Sequence, residues 1–348
     1  MINFRRLQQL AGRPDRVSYL VVLLLFVLTV WLHLGTLLLA ALFSYLALTL
    51  LRFGKGHGRW VSVTIFVLLV SIISFALVRF ATHAFSAFPE IAERAIPSVI
   101  AWAQQNKIEV PFTDYEGFRE VAVNVVKGQT KALGNFARVV REAGLHALYL
   151  IAGCVAAISI FLNSRFELGR EPKVPANNLY SLTCEQVGAR FRLFYQSFAT
   201  VIGAQIVISG INTLLTGVFV LLVDLPYALL VVGVTFLCGL LPVVGNLISN
   251  TIIVGIGFTV SPKMALTALI FLVVIHKFEY FLNSKIIGKR IRNPLWLTLV
   301  ALVVGERLMG IPGMILAPVV LNYVKRETSL IEVQIQDATK EPDSPSGK

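Results

Sequence analysis

The sequence is poor in charged residues and in cysteine. Only 14% of its 348 residues are Asp, Glu, Lys or Arg, whereas soluble proteins have about a quarter. This shortage of charge excludes an ordinary soluble globular domain. The three cysteines, Cys154, Cys184 and Cys238, lie far apart in the chain. Their spacing excludes a disulfide framework and a metal site built on paired cysteines.

The motifs of common catalytic sites are also missing. The chain has no Gly-x-Ser-x-Gly nucleophile motif, no Gly-rich phosphate loop ending in Gly-Lys-Ser, and no His-Glu-x-x-His zinc motif. We therefore expect that the protein is neither an enzyme nor an ATP-driven pump. We also expect no cofactor and no bound metal.

The chain is instead rich in long hydrophobic runs. Hydrophobic residues make up 56% of it, and its mean hydropathy is +0.76. The net charge of +12 comes from Lys and Arg in short loops between these runs, which is typical of the cytoplasmic loops of membrane proteins. No surface stripe of interleaved basic and aromatic residues is present, so we expect no nucleic-acid partner. These features predict an all-α polytopic membrane protein.

The distribution of charge predicts the order of the segments. Residues 1–18 carry four arginines against one aspartate, which predicts a cytoplasmic N-terminus. Residues 19–80 are predicted to form three transmembrane helices, and residues 145–326 a transmembrane transport core. The polar tail, 327–348, is predicted to be disordered and cytoplasmic. The total is about six to eight transmembrane helices.

Residues 81–144 differ from the rest because their charges are mixed and balanced. A long, neutral segment after the third span is predicted to be an extracytoplasmic insert. Apolar residues recur with helical period between Phe118 and Val140, which predicts an amphipathic helix. Its apolar face could pack on residues 88–104, on a second subunit or on the membrane interface, and we favour packing on protein.

Two hydrophobic segments near the C-terminus are interrupted by glycine and proline. The first interruption contains Pro242, Gly245 and Asn246, and the second runs from Gly305 to Gly313 and includes Gly310. The flanking arms are too short to cross a hydrocarbon core of about 30 Å. Either they form hairpins that re-enter the membrane, or they are tilted helices broken at mid-depth. Both arrangements need shelter from lipid, and paired interrupted segments indicate a transporter binding site.

A polar stripe occurs in the long apolar run before the first interruption. Gln205, Ser209, Asn212 and Thr216 are spaced by four, three and four residues, so they share one face of a helix. They either line a hydrophilic path or act as hydrogen-bonding contacts between helices.

A second polar stripe contains an acid. His276, Glu279 and Asn283 are spaced by three and four residues, and an intramembrane acid indicates a proton or cation carrier. The alternative is an interfacial ion pair with Lys277 or Lys285. Asn246, Ser249 and Asn250 follow the first interruption, where we expect them to cap a helix. Glu306 and Arg307 beside the second interruption are expected at the surface or paired with each other.

The order of motifs in the last third resembles the autoinducer-2 exporter (AI-2E) family of transporters. The motifs are Pro242-x-x-Gly245, Ser261-Pro262, Glu279-x-x-x-Asn283 before Lys285-Ile286-Ile287-Gly288, Asn293-Pro294, and Gly310-Ile311-Pro312-Gly313-Met314-x-x-Ala317-Pro318. The resemblance implies a bacterial or archaeal inner-membrane permease that exports small signalling molecules or exchanges sodium and protons. It also implies a homo-oligomer, with a pentamer as the suggested assembly.

These observations together predict a secondary transporter for a small solute, coupled to a proton or sodium gradient. The alternatives are a sodium/proton antiporter, and an oligomeric channel or scaffold without coupled transport. The predicted substrate or ion path consists of Gln205, Ser209, Asn212, Thr216, Pro242, Gly245, Asn246, His276, Glu279, Asn283, Gly310 and Gly313.

Overall fold

The computed structural model describes residues 14–52, 57–108, 116–117, 136–163, 178–241, 244–286 and 294–331. Within these ranges the chain forms ten main helices and no strand. They are α1 (Pro14–Trp31), α2 (Gly35–Leu50), α3 (His57–Gln105), α4 (Phe136–Leu162), α5 (Leu179–Leu222), α6 (Ala228–Gly239), α7 (Val244–Val260), α8 (Pro262–Ile286), α9 (Leu295–Met309) and α10 (Ile311–Ser329).

Four of these helices contain segments long and apolar enough to cross a membrane. They are α1, the residues Gly58–Gln105 of α3, Gly144–Leu162 of α4, and α5. Helices α2, α6 and α7 are apolar but shorter. Many large apolar side chains on these helices face outward, as expected where lipid replaces water as the solvent. The predicted all-α polytopic membrane fold is confirmed.

Helix α3 extends well beyond its predicted membrane span. It continues past residue 80 to Gln105 and contains Pro89 and Pro97. Its 49 residues correspond to about 73 Å, more than twice the hydrocarbon thickness. The first part of the predicted 81–144 insert is therefore the distal half of α3. Most of the amphipathic helix predicted between Phe118 and Val140 lies outside the described residues.

Helix α5 is the central helix of the fold because it takes part in two separate hydrophobic cores. Its first half contributes Phe194, Phe198 and Ile202 to a core with α2 and α10. Its second half contributes Phe219 and Val220 to a core with α3, α6, α7 and α8. A third core joins α2, α3 and α4. The two interrupted segments thus pack on different stretches of the same long helix.

The first interrupted segment is a hairpin of α6 and α7. Gly245, in the first turn of α7, packs directly against the α6 backbone. A Cβ atom on Gly245 would overlap the carbonyl oxygen of Cys238, so only glycine fits this close approach. The hairpin places the N-terminal turns of α7 beside the C-terminal end of α6.

The second interrupted segment, α9 and α10, has a shorter break than we predicted from the sequence. The predicted break ran from Gly305 to Gly313, but both helices continue to within one residue of Gly310. Gly310 alone makes the turn with a φ of 63°, in the left-handed region that favours glycine. Gly305 and Gly313 lie inside the helices, where their backbones meet. These two glycines serve close helix packing rather than chain reversal.

Replacement of Gly313 by Ala is expected to destabilise the protein. The new Cβ would overlap the carbonyl oxygen of Gly305, and forcing two packed backbones apart costs roughly 1–3 kcal/mol. The matched control is Gly203→Ala on α5, where a Cβ meets nothing within 4 Å. There the higher helix propensity of Ala is expected to raise stability by up to about 1 kcal/mol. Thermal unfolding in detergent measures both changes, and equal unfolding midpoints would contradict the prediction.

Candidate functional site

The candidate site is centred on the carboxylate of Glu279 in α8. The side-chain amide of Asn212 in α5 donates to its Oε2 at 3.3 Å. The amide of Asn246 in α7 donates to Oε2 at 3.1 Å and to Oε1 at 3.3 Å. Three helices therefore converge on one carboxylate, whose side chain is 16% exposed.

His276 extends this cluster along α8. Its Nδ1 lies 3.4 Å from Oε2 of Glu279, and its Nε2 lies 2.7 Å from the side-chain nitrogen of Asn250 in α7. One turn of α8 separates His276 from Glu279, which brings both side chains onto the same face. The result is a continuous chain of contacts from Asn250 through His276 to Glu279.

A small cavity lies beside this chain of contacts. Its volume is about 20 Å³, enough for one water molecule or an object of similar size. It is lined by Asn212, Thr216, Thr235, Gly239, Asn246, Ser249, Asn250, Ile253, Leu272, Ile275 and His276. Asn212 is 8% exposed, and its side-chain oxygen is buried with no hydrogen-bond partner among the described residues. The cavity therefore borders an unused acceptor, and three of its lining side chains, Asn212, Asn246 and His276, bond to the Glu279 carboxylate.

Gln205 and Ser209 donate hydrogen bonds to carbonyl oxygens at the C-terminal end of α6. Gln205 donates to the carbonyl oxygen of Gly239 at 2.6 Å, and Ser209 donates to that of Phe236 at 2.8 Å. The last carbonyls of a helix lack partners within it, and here α5 supplies the donors. Of the predicted polar stripe on α5, Asn212 and Thr216 line the cavity, while Gln205 and Ser209 bond to the helix backbone.

The side chains of Asn246 and Asn250 contact α8, whereas we expected them to cap α7. Asn246 donates to Glu279 and Asn250 contacts His276, so both amides point across to α8. Ser249 bonds to the carbonyl oxygen of Asn246 within α7. Helix α7 starts at Val244, which places Asn246 and Asn250 one turn apart on the face towards α8.

The remaining predicted residues lie elsewhere or outside the described residues. Gly245 packs against α6, and Gly310 and Gly313 belong to the α9–α10 hairpin. Pro242 is outside the described ranges, as is the side chain of Asn283. Glu306 and Arg307 are exposed on α9.

The alternative ion pair for Glu279 has no support within the described residues. The groups bonded to its carboxylate there are Asn212, Asn246 and His276. Lys277 is exposed on α8, and the side chain of Lys285 lies outside the described part of the chain. In the described part, no group of three or more His, Cys, Asp and Glu side chains is placed to hold a metal ion.

Several residues that the fold brings to polar positions were not predicted from the sequence. Thr235 lines the cavity, and its signal was that it is the only hydroxyl residue in the apolar helix α6. Arg190 is 7% exposed, lies 3.8 Å from the ring centre of Tyr19 and pairs with Glu327 at 3.3 Å. Nothing in the sequence indicates that pairing, because Glu327 is 137 residues further along the chain.

Comparison with known proteins indicates a family for this chain. A family model described as "AI-2E family transporter" matches residues 17–329. The protein named "Putative transport protein YdbI" of Bacillus subtilis strain 168 is 26% identical over 156 residues, which are 44% of this chain and 42% of that protein. "Putative transport protein YueF" of the same organism is 37% identical over 107 residues, 30% of this chain and 29% of that protein. The matched segments thus span less than half of either relative.

Proposed function

The chain belongs to the AI-2E transporter family, and on that premise we propose that it is a secondary transporter that uses Glu279 to bind a coupling proton. The cargo is a small solute, and its movement across the membrane is driven by an ion gradient. The observation that carries this proposal is the Glu279 carboxylate, bonded from three helices beside a water-sized cavity.

The partners of Glu279 support a role in which its charge changes. All its hydrogen-bond donors among the described residues are neutral amides or the imidazole of His276. A negative charge among apolar helices without a bonded cation is costly. A bound proton neutralises the carboxylate, which is the change that the proposed coupling step uses.

The size of the cavity supports an occluded state of the transporter. A volume of about 20 Å³ is too small for an organic solute, because even drug-sized sites are typically 300–1,000 Å³. Solute entry therefore requires the α6–α7 hairpin to move away from α5 and α8. Protonation of Glu279 changes its bonds to α5 and α7, and this links the charge of the site to the position of the hairpin.

A cation/proton antiporter is the second candidate function. The observation that favours it is the same small cavity, which accommodates an ion without any opening for an organic molecule. In this alternative no organic cargo exists, and Glu279 still carries the proton. The antiporter and the solute transporter differ in what crosses the membrane, so a flux measurement separates them.

The test uses purified native protein in liposomes with imposed pH and sodium gradients. Uptake of candidate small solutes that depends on a gradient is expected for the coupled transporter. Gradient-driven proton or sodium flux without any solute identifies the antiporter instead. Flux that ignores both gradients contradicts the proposal and favours the channel.

It stays a prediction that both termini are cytoplasmic. It also stays a prediction that the chain forms a homo-oligomer, with a pentamer suggested by the resemblance. Exposed apolar side chains such as Leu221 and Leu222 on α5, each 79% exposed, suit contact with lipid and with a second copy equally.

A further inference from the structure

His276 connects Asn250 in the cavity wall to the Glu279 carboxylate through its two ring nitrogens. Nε2 faces the Asn250 side-chain nitrogen at 2.7 Å, and Nδ1 faces Oε2 of Glu279 at 3.4 Å. An imidazole bonded on both sides can accept a proton at one nitrogen while releasing one from the other.

The partners of the ring determine where its proton lies. When the NH₂ group of Asn250 donates to Nε2, that nitrogen is an acceptor and carries no hydrogen. The single hydrogen of the neutral ring is then on Nδ1, where it points at the negative Oε2 of Glu279. The opposite tautomer would place the lone pairs of Nδ1 and Oε2 against each other, unless the Glu279 carboxylate were protonated.

The amide of Asn250 is able to match either tautomer. Rotating it by half a turn replaces its donor NH₂ with its acceptor oxygen, which then pairs with a protonated Nε2. Asn250 is 26 residues from His276 in the sequence and lies on a different helix. The amide thus keeps Nε2 bonded whether or not that nitrogen carries a hydrogen.

We propose that His276 relays protons between the cavity and Glu279, with Asn250 as the positioning residue that accommodates both tautomers. In the forward step the Asn250 amide turns its NH₂ away from Nε2, and Nε2 takes a proton from a hydronium ion in the cavity, which leaves a water molecule there. Nδ1 passes its own proton to Oε2, and the Asn250 oxygen then accepts from the new Nε2–H. The N–H bond at Nδ1 breaks as the O–H bond of the carboxylic acid forms. The ring starts and ends neutral, and one proton has moved to Glu279.

The surroundings of the ring are suited to this transfer. Among the described residues, the ionisable side chain bonded to His276 is Glu279. The other polar groups of the cavity on α5, α6 and α7 are neutral amides and hydroxyls: Asn212, Thr216, Thr235, Asn246, Ser249 and Asn250. Lys277 is exposed on α8. No described fixed cation is bonded to the ring to hold it in one protonation state.

This inference rests on the proposed function, and His276→Gln tests it. Glutamine keeps a donor for Glu279 and an acceptor for Asn250, so the cluster stays bonded, but an amide does not relay a proton. We expect proton-driven flux to fall by at least about tenfold, since positioned acid–base groups contribute factors of 10²–10⁴. A native rate and a native pH profile in His276→Gln would overturn the relay. Glu279→Gln in the same assay tests the proposed function separately.

A spectroscopic measurement tests the relay without any flux. Nitrogen NMR of ¹⁵N-histidine-labelled protein in liposomes distinguishes Nδ1–H, Nε2–H and doubly protonated rings, and the difference from His276→Gln assigns the signal. We expect the Nδ1–H tautomer at high pH and a change of form on acidification. The control Asn250→Leu removes the partner of Nε2 and is expected to lose the uniform Nδ1–H signal. An Nε2–H tautomer at every pH in the native protein would overturn the proposal.

Discussion

Replacement of Glu279 by Gln is expected to reduce gradient-driven flux to the level of protein-free liposomes. Glutamine has nearly the same shape and keeps an oxygen that accepts from Asn212 or Asn246. It cannot bind and release a proton, so the substitution removes the charge change while leaving the packing in place. The measurement is flux in liposomes under an imposed pH gradient, with folding checked by thermal unfolding in detergent.

Two further variants make the Glu279 result specific. Glu306→Gln removes an exposed carboxylate from α9 and is expected to leave the flux unchanged. Glu279→Asp keeps the titratable group but withdraws it by one methylene from its donors, and reduced but gradient-dependent flux is expected. If Glu279→Gln shows native, gradient-dependent flux, the proton-binding role of Glu279 is wrong.

Replacement of Arg190 by Met is expected to cause the largest loss of stability. The Arg190 side chain is 7% exposed, pairs with Glu327 at 3.3 Å and lies over the ring of Tyr19 at 3.8 Å. Its loss leaves the Glu327 carboxylate, 15% exposed, without its cation. Removing one partner of a buried ion pair costs about 3–5 kcal/mol. These residues come from α1, α5 and α10. Loss of the Arg190 side chain therefore also weakens the packing of the α9–α10 hairpin on α5.

The matched control for Arg190 is Arg94→Met on α3. Arg94 pairs with Glu90 at 2.8 Å, but the two side chains are 61% and 51% exposed. An exposed pair contributes about 0–1 kcal/mol, so a small change is expected. Thermal unfolding in detergent compares both variants, and the double variant Arg190→Met with Glu327→Gln is expected to recover part of the loss. Equal midpoints for Arg190→Met and Arg94→Met would show that burial does not strengthen the Arg190 pair.

The helical spacing of the α5 stripe predicted a shared face, but not what each residue contacts there. Gln205 and Ser209 bond to α6 carbonyls, whereas Asn212 reaches Glu279. All four residues look alike in the sequence because spacing reports only the face of the helix. The position of the α6–α7 hairpin decides which of them meets a backbone and which meets a side chain.

The glycines of the second interruption also look alike in the sequence but have different roles in the structure. The run from Gly305 to Gly313 contains three glycines, and each is equally compatible with a break in the helix. Only Gly310 has the positive φ that turns the chain, while Gly305 and Gly313 allow two helices to touch. Glycine permits both unusual backbone angles and close contact, so its identity alone does not distinguish them.

By itself the sequence determined that this protein lies in lipid, that it is helical, and which polar residues share a helix face. Apolar runs and helical spacing are local properties, and few arrangements satisfy the backbone in lipid. Only the tertiary structure decided that Asn250, His276 and Glu279 form one chain of contacts, and that Arg190 pairs with Glu327. Such pairings depend on how distant helices pack, because hydrogen bonds and ion pairs form only between groups brought within a few ångströms.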